Sequence, residues 1–149
     1  MTKAAQKSEK AETKEKYIEA VGRRKTAIAR VRIYPSSLEG KSKKGEHLIV
    51  NDRDFRKYFP LKKQQEIAIA PFKTLALKNF ESRAKTMGGG LNAQAESVRL
   101  GISRALVSFN TEWRPRLKTQ GFLRRDPRMV ERKKFGSRKA RRPQQWRKR

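Results

Sequence analysis

FESRAKTMGGGLNAQAESVRLGISRALVSF, from Phe80 to Phe109, changes its hydrophobic period partway along. In its first eight residues Phe80, Ser82, Ala84 and Thr86 alternate with Glu81, Arg83, Lys85 and Met87. That period of two is a strand with one covered face. Three glycines follow at 88–90. Beyond them Ala95, Val98, Ile102, Ala105, Leu106 and Phe109 form one apolar stripe at helical spacing. Asn92 stands where it can cap that helix. A one-faced strand and a one-striped helix each need a partner to bury against, and layered packing supplies it.

Working outward toward the N-terminus, YIEAVGRRKTAIARVRIY has strand character, clearest from Ala27. There Ala27, Ala29, Val31 and Ile33 face one way and Ile28, Arg30, Arg32 and Tyr34 the other. This predicts a half-buried strand with a basic outer face. PSSLEGKSKKGE reads as a loop, and HLIVN as a second strand able to pair with the first in a long-tipped hairpin. Asp52 is placed to cap a short helix in RDFRKYF, where Phe55, Tyr58 and Phe59 fall at i, i+3 and i+4. PLKKQQEIAIAPFKTLAL is ambiguous, with Pro71 able to open a short helix carrying Phe72, Leu75 and Ala76. Toward the C-terminus, TEWRPRLKTQ predicts a short helix ending at Gly121, with Pro115 in its first turn. Apolar periodicity stops after Phe122. The expected fold is α+β, a small sheet packed on two or three helices, with a long basic C-terminal tail.

Charge divides the chain in the same places. The 149 residues carry 40 Lys and Arg against 14 Asp and Glu, a net +26. Residues 1–16 hold five Lys and three Glu and no large apolar residue after Met1, which predicts a disordered charged leader. Residues 17–121 are expected to form the globular body. Residues 122–149 are expected to form an extended basic tail. Sixteen basic residues and two acidic ones lie in 114–149, so about half of the excess sits in the last quarter. Charge of one sign disfavours compaction unless a polyanion screens it, and nucleic acid is the usual polyanion. Ordering a residue's backbone costs about 1–2 kcal/mol. The tail buries little in return, so it is expected to order only on a partner, while the body folds alone.

Other chemistries have little support. There is no cysteine, which excludes disulfides and thiolate metal sites. No metal site and no cofactor are expected. No run approaches the length and apolarity of a membrane span, so no membrane partner is expected. The single histidine, His47, has no triad or metal set around it. Gly88 to Ala93 matches the loose pattern GxGxxG/A, with Glu112 about twenty residues beyond. The preceding strand, however, is not the continuous apolar run of a buried parallel strand. The glycines either make the turn into the helix or bring backbone N–H groups close to a phosphate.

Four segments occur in order: AVGRRKTAIARVRIY, VNDRDFRKYF, GGGLNAQAESVRLGISRAL and LRRDPRMVERKKFGSRKARRPQQWRKR. Together they resemble bacterial-type ribosomal protein nine of the small subunit, over about residues 17–149. The resemblance implies a fold of the class of the second domain of ribosomal protein five. It implies a non-enzymatic constituent of the small ribosomal subunit, located in the cytoplasm or in an organellar ribosome. Its partners would be ribosomal RNA of the head, or 3′ major, domain and neighbouring head proteins. The tail would thread the RNA and touch the anticodon stem-loop of transfer RNA in the peptidyl site. Two departures stand out. Ala93 occupies a position usually held by Gly, so Asn92 is expected to take the left-handed conformation instead. PQQWRKR carries an extra residue between Pro143 and the aromatic, and Arg147 replaces Ser.

The expected ribosomal RNA contacts are Arg23, Arg24, Lys25 and Arg30 at the first strand, the backbone of Gly88, Gly89 and Gly90, and Arg99 and Arg104 on the helix. They continue through Arg124, Arg125 and Arg128 to Arg132, Lys133, Lys134, Arg138, Lys139, Arg141, Arg142 and Trp146. Trp146 serves either as a base or ribose platform or as an aromatic packed on protein or sugar. Gly136 and Pro143 are expected to keep the tail's path extended and non-helical. Arg147, Lys148 and Arg149 are the expected transfer RNA contacts. Two other readings fit the composition. A nucleic-acid compacting protein would bind arbitrary duplex DNA as tightly as ribosomal RNA. A nucleotide-binding enzyme using the glycine loop would be stabilised by nucleotide.

Overall fold

The computed structural model describes residues 17–35, 46–77 and 79–147. The leader 1–16, most of the loop at 36–45, and Lys148 and Arg149 lie outside the described residues. Five strands form one mixed sheet: β1 (Ile18–Arg24), β2 (Ala27–Ile33), β3 (Glu46–Val50), β4 (Arg53–Asp54) and β5 (Phe80–Met87), in the order β1-β2-β5-β3-β4. β5 is the strand predicted from its alternation, and Phe80, Ser82, Ala84 and Thr86 are its buried set. Its neighbours are β2, antiparallel, and β3, parallel.

The N-terminal region differs from the sequence reading. YIEAVGRRKTAIARVRIY is two strands, a tight hairpin with Arg24 opposite Ala27. Its two-residue turn is Lys25-Thr26, with Lys25 at φ 51. Hairpin turns of this size usually announce themselves with Gly or Asn, and here neither is present. HLIVN does not pair with β2. It lies on the far side of β5, in the parallel register Leu48 to Ser82 and Val50 to Ala84. A parallel pair needs a crossover, and two helices supply it: α1 (Phe55–Tyr58) and α2 (Lys62–Thr74). Tyr34, expected on the outer face, is buried just past the end of β2.

Both crossover helices differ from expectation at their starts. Asp54, not Asp52, caps α1, its carboxylate accepting from the Arg56 N–H at 2.7 Å. Asp52 instead takes φ 62 in the turn between β3 and β4. α2 begins well before Pro71, which falls in its last turn. There the missing N–H removes one hydrogen bond and leaves little helix beyond it to disturb. Gln64, Ala68, Ile69 and Phe72 form its buried stripe.

The long helix α3 (Leu91–Phe109) packs across β1, β2 and α2, with the predicted stripe inward except that Phe109 is only half-buried. Gly90 is its cap; Asn92 is inside the first turn, where its carbonyl accepts from Gln64 Nε2 at 2.6 Å. The left-handed residues of this turn are Gly88 and Gly89, at φ 70 and 64, not Asn92. A short 3-10 turn (Thr111–Trp113) and α4 (Arg114–Thr119) follow, and Leu117 completes the core. Helices and core lie on one side of the sheet. Phe72 and Phe80 stack across that interface, with ring centres 3.7 Å apart.

Asn51 fastens the end of β3 to β5. Its Nδ2 donates to Thr86 O at 3.0 Å and Thr86 Oγ1 at 3.1 Å, and its Oδ1 accepts from Thr86 N at 2.8 Å. It does this at φ 46, a left-handed conformation that Asn tolerates better than most residues. Asn51→Ala is expected to lose about 2–3 kcal/mol in urea unfolding, from stranded polar partners and backbone strain together.

Candidate nucleic-acid interface

The tail leaves the body at a small ionic latch. Arg24, at the end of β1, pairs with Glu96 on α3 and with Asp126 at 3.1 Å, and donates to the Arg128 carbonyl at 2.7 Å. Its side chain is only 13% exposed. Of the expected RNA contacts, Arg24 is therefore held between two carboxylates, joining β1, α3 and the tail root. Asp126 also receives the Arg128 N–H at 2.9 Å and its guanidinium at 2.9 Å. Hydrogen bonding from Arg128, side chain first and backbone second, holds the Asp126 carboxyl down at about 2.

This depressed value fixes the sign of a pH effect. The stabilisation is complete above the ordinary carboxyl range and is lost as pH falls through the folded value. NMR signals of 124–128 are expected to stay unchanged from neutral pH down to about 5, and to move toward free-chain positions as pH falls below about 3. Asp126→Asn should remove that low-pH transition.

Beside the latch runs a groove of about 480 Å³, lined by Arg99, Gly121, Arg124, Arg125, Asp126, Pro127 and Arg128. Arg124 and Arg125 are exposed on its rim. The Arg99 guanidinium lies over the Phe122 ring at 5.1 Å, while its buried Nε has no hydrogen-bond partner. The ring contact holds this guanidinium at the groove wall. Arg104, on the same helix, is exposed and donates to Val21 O at 2.8 Å.

The other expected residues spread over two further surfaces. Arg23 and Lys25 are exposed at the tip of the β1-β2 hairpin. Arg30 projects from the open face of the sheet, 60% exposed and 3.3 Å from Glu19. The β2-β5 register sets Lys85 beside Arg30 and Arg83 beside Arg32. Lys85 and Arg83 were not among the expected contacts; the alternation in FESRAKTM already placed them on the outer face. Gly88 and Gly89 are turn residues. A Cβ at Gly88 would lie 2.6 Å from Thr26 O, and one at Gly89 2.9 Å from Ala27 Cβ. Gly90 meets nothing within 4 Å.

Beyond Arg128 the described tail is almost wholly exposed. Trp146 is 91% exposed, and Phe135 is fully open. Arg132, Lys133, Lys134, Arg138, Lys139, Arg141, Arg142 and Arg147 all face solvent. Arg141 pairs with Glu131 at 2.8 Å. Gly136 turns at φ 71, Ser137 bridges to Pro143, and Arg138 N–H donates to Arg142 O at 2.8 Å. Among the described residues, no helix is long and apolar enough to cross a membrane.

Comparison with known proteins bears on this arrangement directly. Residues 22–149 match the family described as ribosomal protein S9/S16. Small ribosomal subunit protein uS9 of Amoebophilus asiaticus is 45% identical over 133 residues, covering 89% of this chain and 98% of that protein. The uS9 protein of Nostoc punctiforme is 46% identical over 130 residues, covering 86% and 88%. That of Nocardia farcinica is 41% identical over 133 residues, covering 89% and 75%. The match takes in the hairpin, the glycine turn, the long helix and the whole basic tail, so the chain belongs to the S9 family of small-subunit ribosomal proteins, structural constituents of the ribosome.

Proposed function

We propose that this protein binds small-subunit ribosomal RNA in the head, or 3′ major, domain, and that its terminus contacts transfer RNA in the peptidyl site. It works within the ribosome, beside neighbouring head proteins, as a scaffold and not as an enzyme. The observation that carries this reading is the guanidinium-lined groove of Arg99, Arg124, Arg125 and Arg128, continuous with the exposed cations of the tail. Fixed planar guanidiniums suit phosphates approaching from several sides. Among the described residues of this groove no arrangement for sequence readout accompanies them, so its affinity comes from shape and charge. Neither alternative, the DNA-compacting protein or the nucleotide enzyme, gains a supporting observation. β5 is flanked by one antiparallel and one parallel neighbour, and Gly88 and Gly89 lie close against Thr26 and Ala27.

Opened out, the eighteen residues from Arg132 would span about 60 Å at ~3.3–3.6 Å each. That is enough to cross RNA and reach a separate functional site. Earlier cations would meet the surrounding RNA, leaving Arg147, Lys148 and Arg149 for a mobile ligand. Deleting these three is expected to leave subunit assembly intact and to weaken peptidyl-site transfer RNA binding modestly, by about 1 kcal/mol. Binding equal to wild type at low and moderate salt would show that these charges serve ribosomal RNA alone.

A further inference from the structure

The open face of the sheet carries a second groove, away from the tail. Its volume is about 480 Å³, and Ile28, Arg30, Asn51, Asp52, Lys85 and Met87 contribute to its walls. Ile28 and Met87 are register partners on β2 and β5, and so are Arg30 and Lys85, two residues along. An exposed apolar pair therefore sits beside two exposed cations, Lys85 and Arg30, the latter sharing Glu19 with Arg32. Met87 is 67% exposed and Ile28 37%, unusual for two neighbouring large apolar side chains on a sheet face. Lys85 has no carboxylate partner among the described residues. The backbone under the groove is rigid, because Asn51 bonds Thr86 through both ends of its amide.

We infer that this groove holds one unpaired RNA nucleotide, its base against Ile28 and Met87 and its flanking phosphates on Arg30 and Lys85. The inference rests on the RNA-binding reading above and adds a site to it. An apolar pair alone would suit a protein side chain as well. The two cations beside it, on the open face of a chain of net charge +26, favour an anionic occupant with a flat apolar part, and an unstacked nucleotide is both. Asp52 is the one carboxylate in the lining. It repels a phosphate but accepts hydrogen bonds from a base edge that bears amino or imino donors, as guanine's does. The base is thereby oriented toward Asp52 and the phosphates toward Arg30 and Lys85.

Methionine methyl NMR on the full chain tests this, since there are three methionines, Met1, Met87 and Met129. The probe is the isolated head-domain RNA transcript, titrated at moderate salt. The Met87 methyl is expected to shift upfield as a base covers it, with Met129 responding separately at the tail root. In Arg30→Gln/Lys85→Gln the Met87 shift should be lost and the Met129 response retained. Asp52→Asn should change the Met87 shift without abolishing it. A response of Met129 with Met87 unmoved would overturn the groove while leaving the RNA-binding reading standing. Silence of both would overturn the two together. Movement of Met87 only when a neighbouring ribosomal protein is added would assign the groove to protein and overturn the nucleotide.

Discussion

Replacing Gly22 by alanine is expected to remove about 3 kcal/mol or more of folding stability, the largest single-residue loss in the body. Gly22 lies on β1 where that strand crosses α3 most closely. A Cβ there would sit 1.8 Å from the Ser97 carbonyl oxygen and 2.5 Å from the Gly101 amide nitrogen. Both are main-chain atoms of a buried helix, so no rotamer change relieves the clash. Strand and helix would have to part, opening the layer in which Val98, Ile102 and Val31 pack. Total stabilities of such domains run to about 5–15 kcal/mol, so this one methyl spends a large share. Gly101→Ala is a graded control. Its Cβ would meet a side-chain atom, Val31 Cγ2 at 2.6 Å, which can shift in part. A loss of about 1–2 kcal/mol is expected there. Urea unfolding measures both; a Gly22→Ala loss below about 1 kcal/mol would mean that β1 slides freely over the helix.

The second large effect is on binding. Ten of the last eighteen residues, from Arg132, are Lys or Arg, with no carboxylate side chain among them. Each phosphate neutralised contributes about 0.7–0.9 to the slope of log K against log salt. Deleting 132–149 is therefore expected to flatten that slope by as much as about 7–9, with a loss of affinity for head-domain RNA of several decades at low salt. Because none of the described residues from 132 to 147 belongs to the core, the thermal transition of the body should stay where it is. A truncated chain with an unchanged slope would place the phosphate contacts in the body instead. A body that unfolded on truncation would show the tail to be part of the fold.

What the sequence made legible follows from what each signal depends on. The β5-glycine-α3 unit was readable because period and punctuation agree over thirty residues, and each side chain's face is set locally. The β1-β2 hairpin was not, because Lys25-Thr26 carries no turn residue and strand residues run unbroken on either side. The parallel pairing of β3 with β5 joins residues more than thirty positions apart and leaves no local mark. Pro71 hid α2 by looking like a start when it is near the end. The site divides similarly. That cations would line the interface was plain from composition, and the outer face of β2 and β5 was plain from alternation. That Arg24 would turn inward to Glu96 and Asp126 depends on three distant segments meeting. Nothing in GRRK distinguishes it from its neighbour Arg23, which stays exposed. Nor could spacing reveal that Gly22 and Gly101 face one another, since each alone reads only as a permissive residue.

Sedimentation through a high-salt gradient tests the central claim most directly. The tagged full-length chain, assembled in cells, is followed against the small-subunit peak, with duplex DNA as a competing polyanion. The account predicts that the chain stays with the small subunit at salt that strips loosely held basic proteins, because body grooves and tail engage folded RNA together. Release of the full chain to the top of the gradient, or its transfer to duplex DNA in place of the subunit, would contradict it.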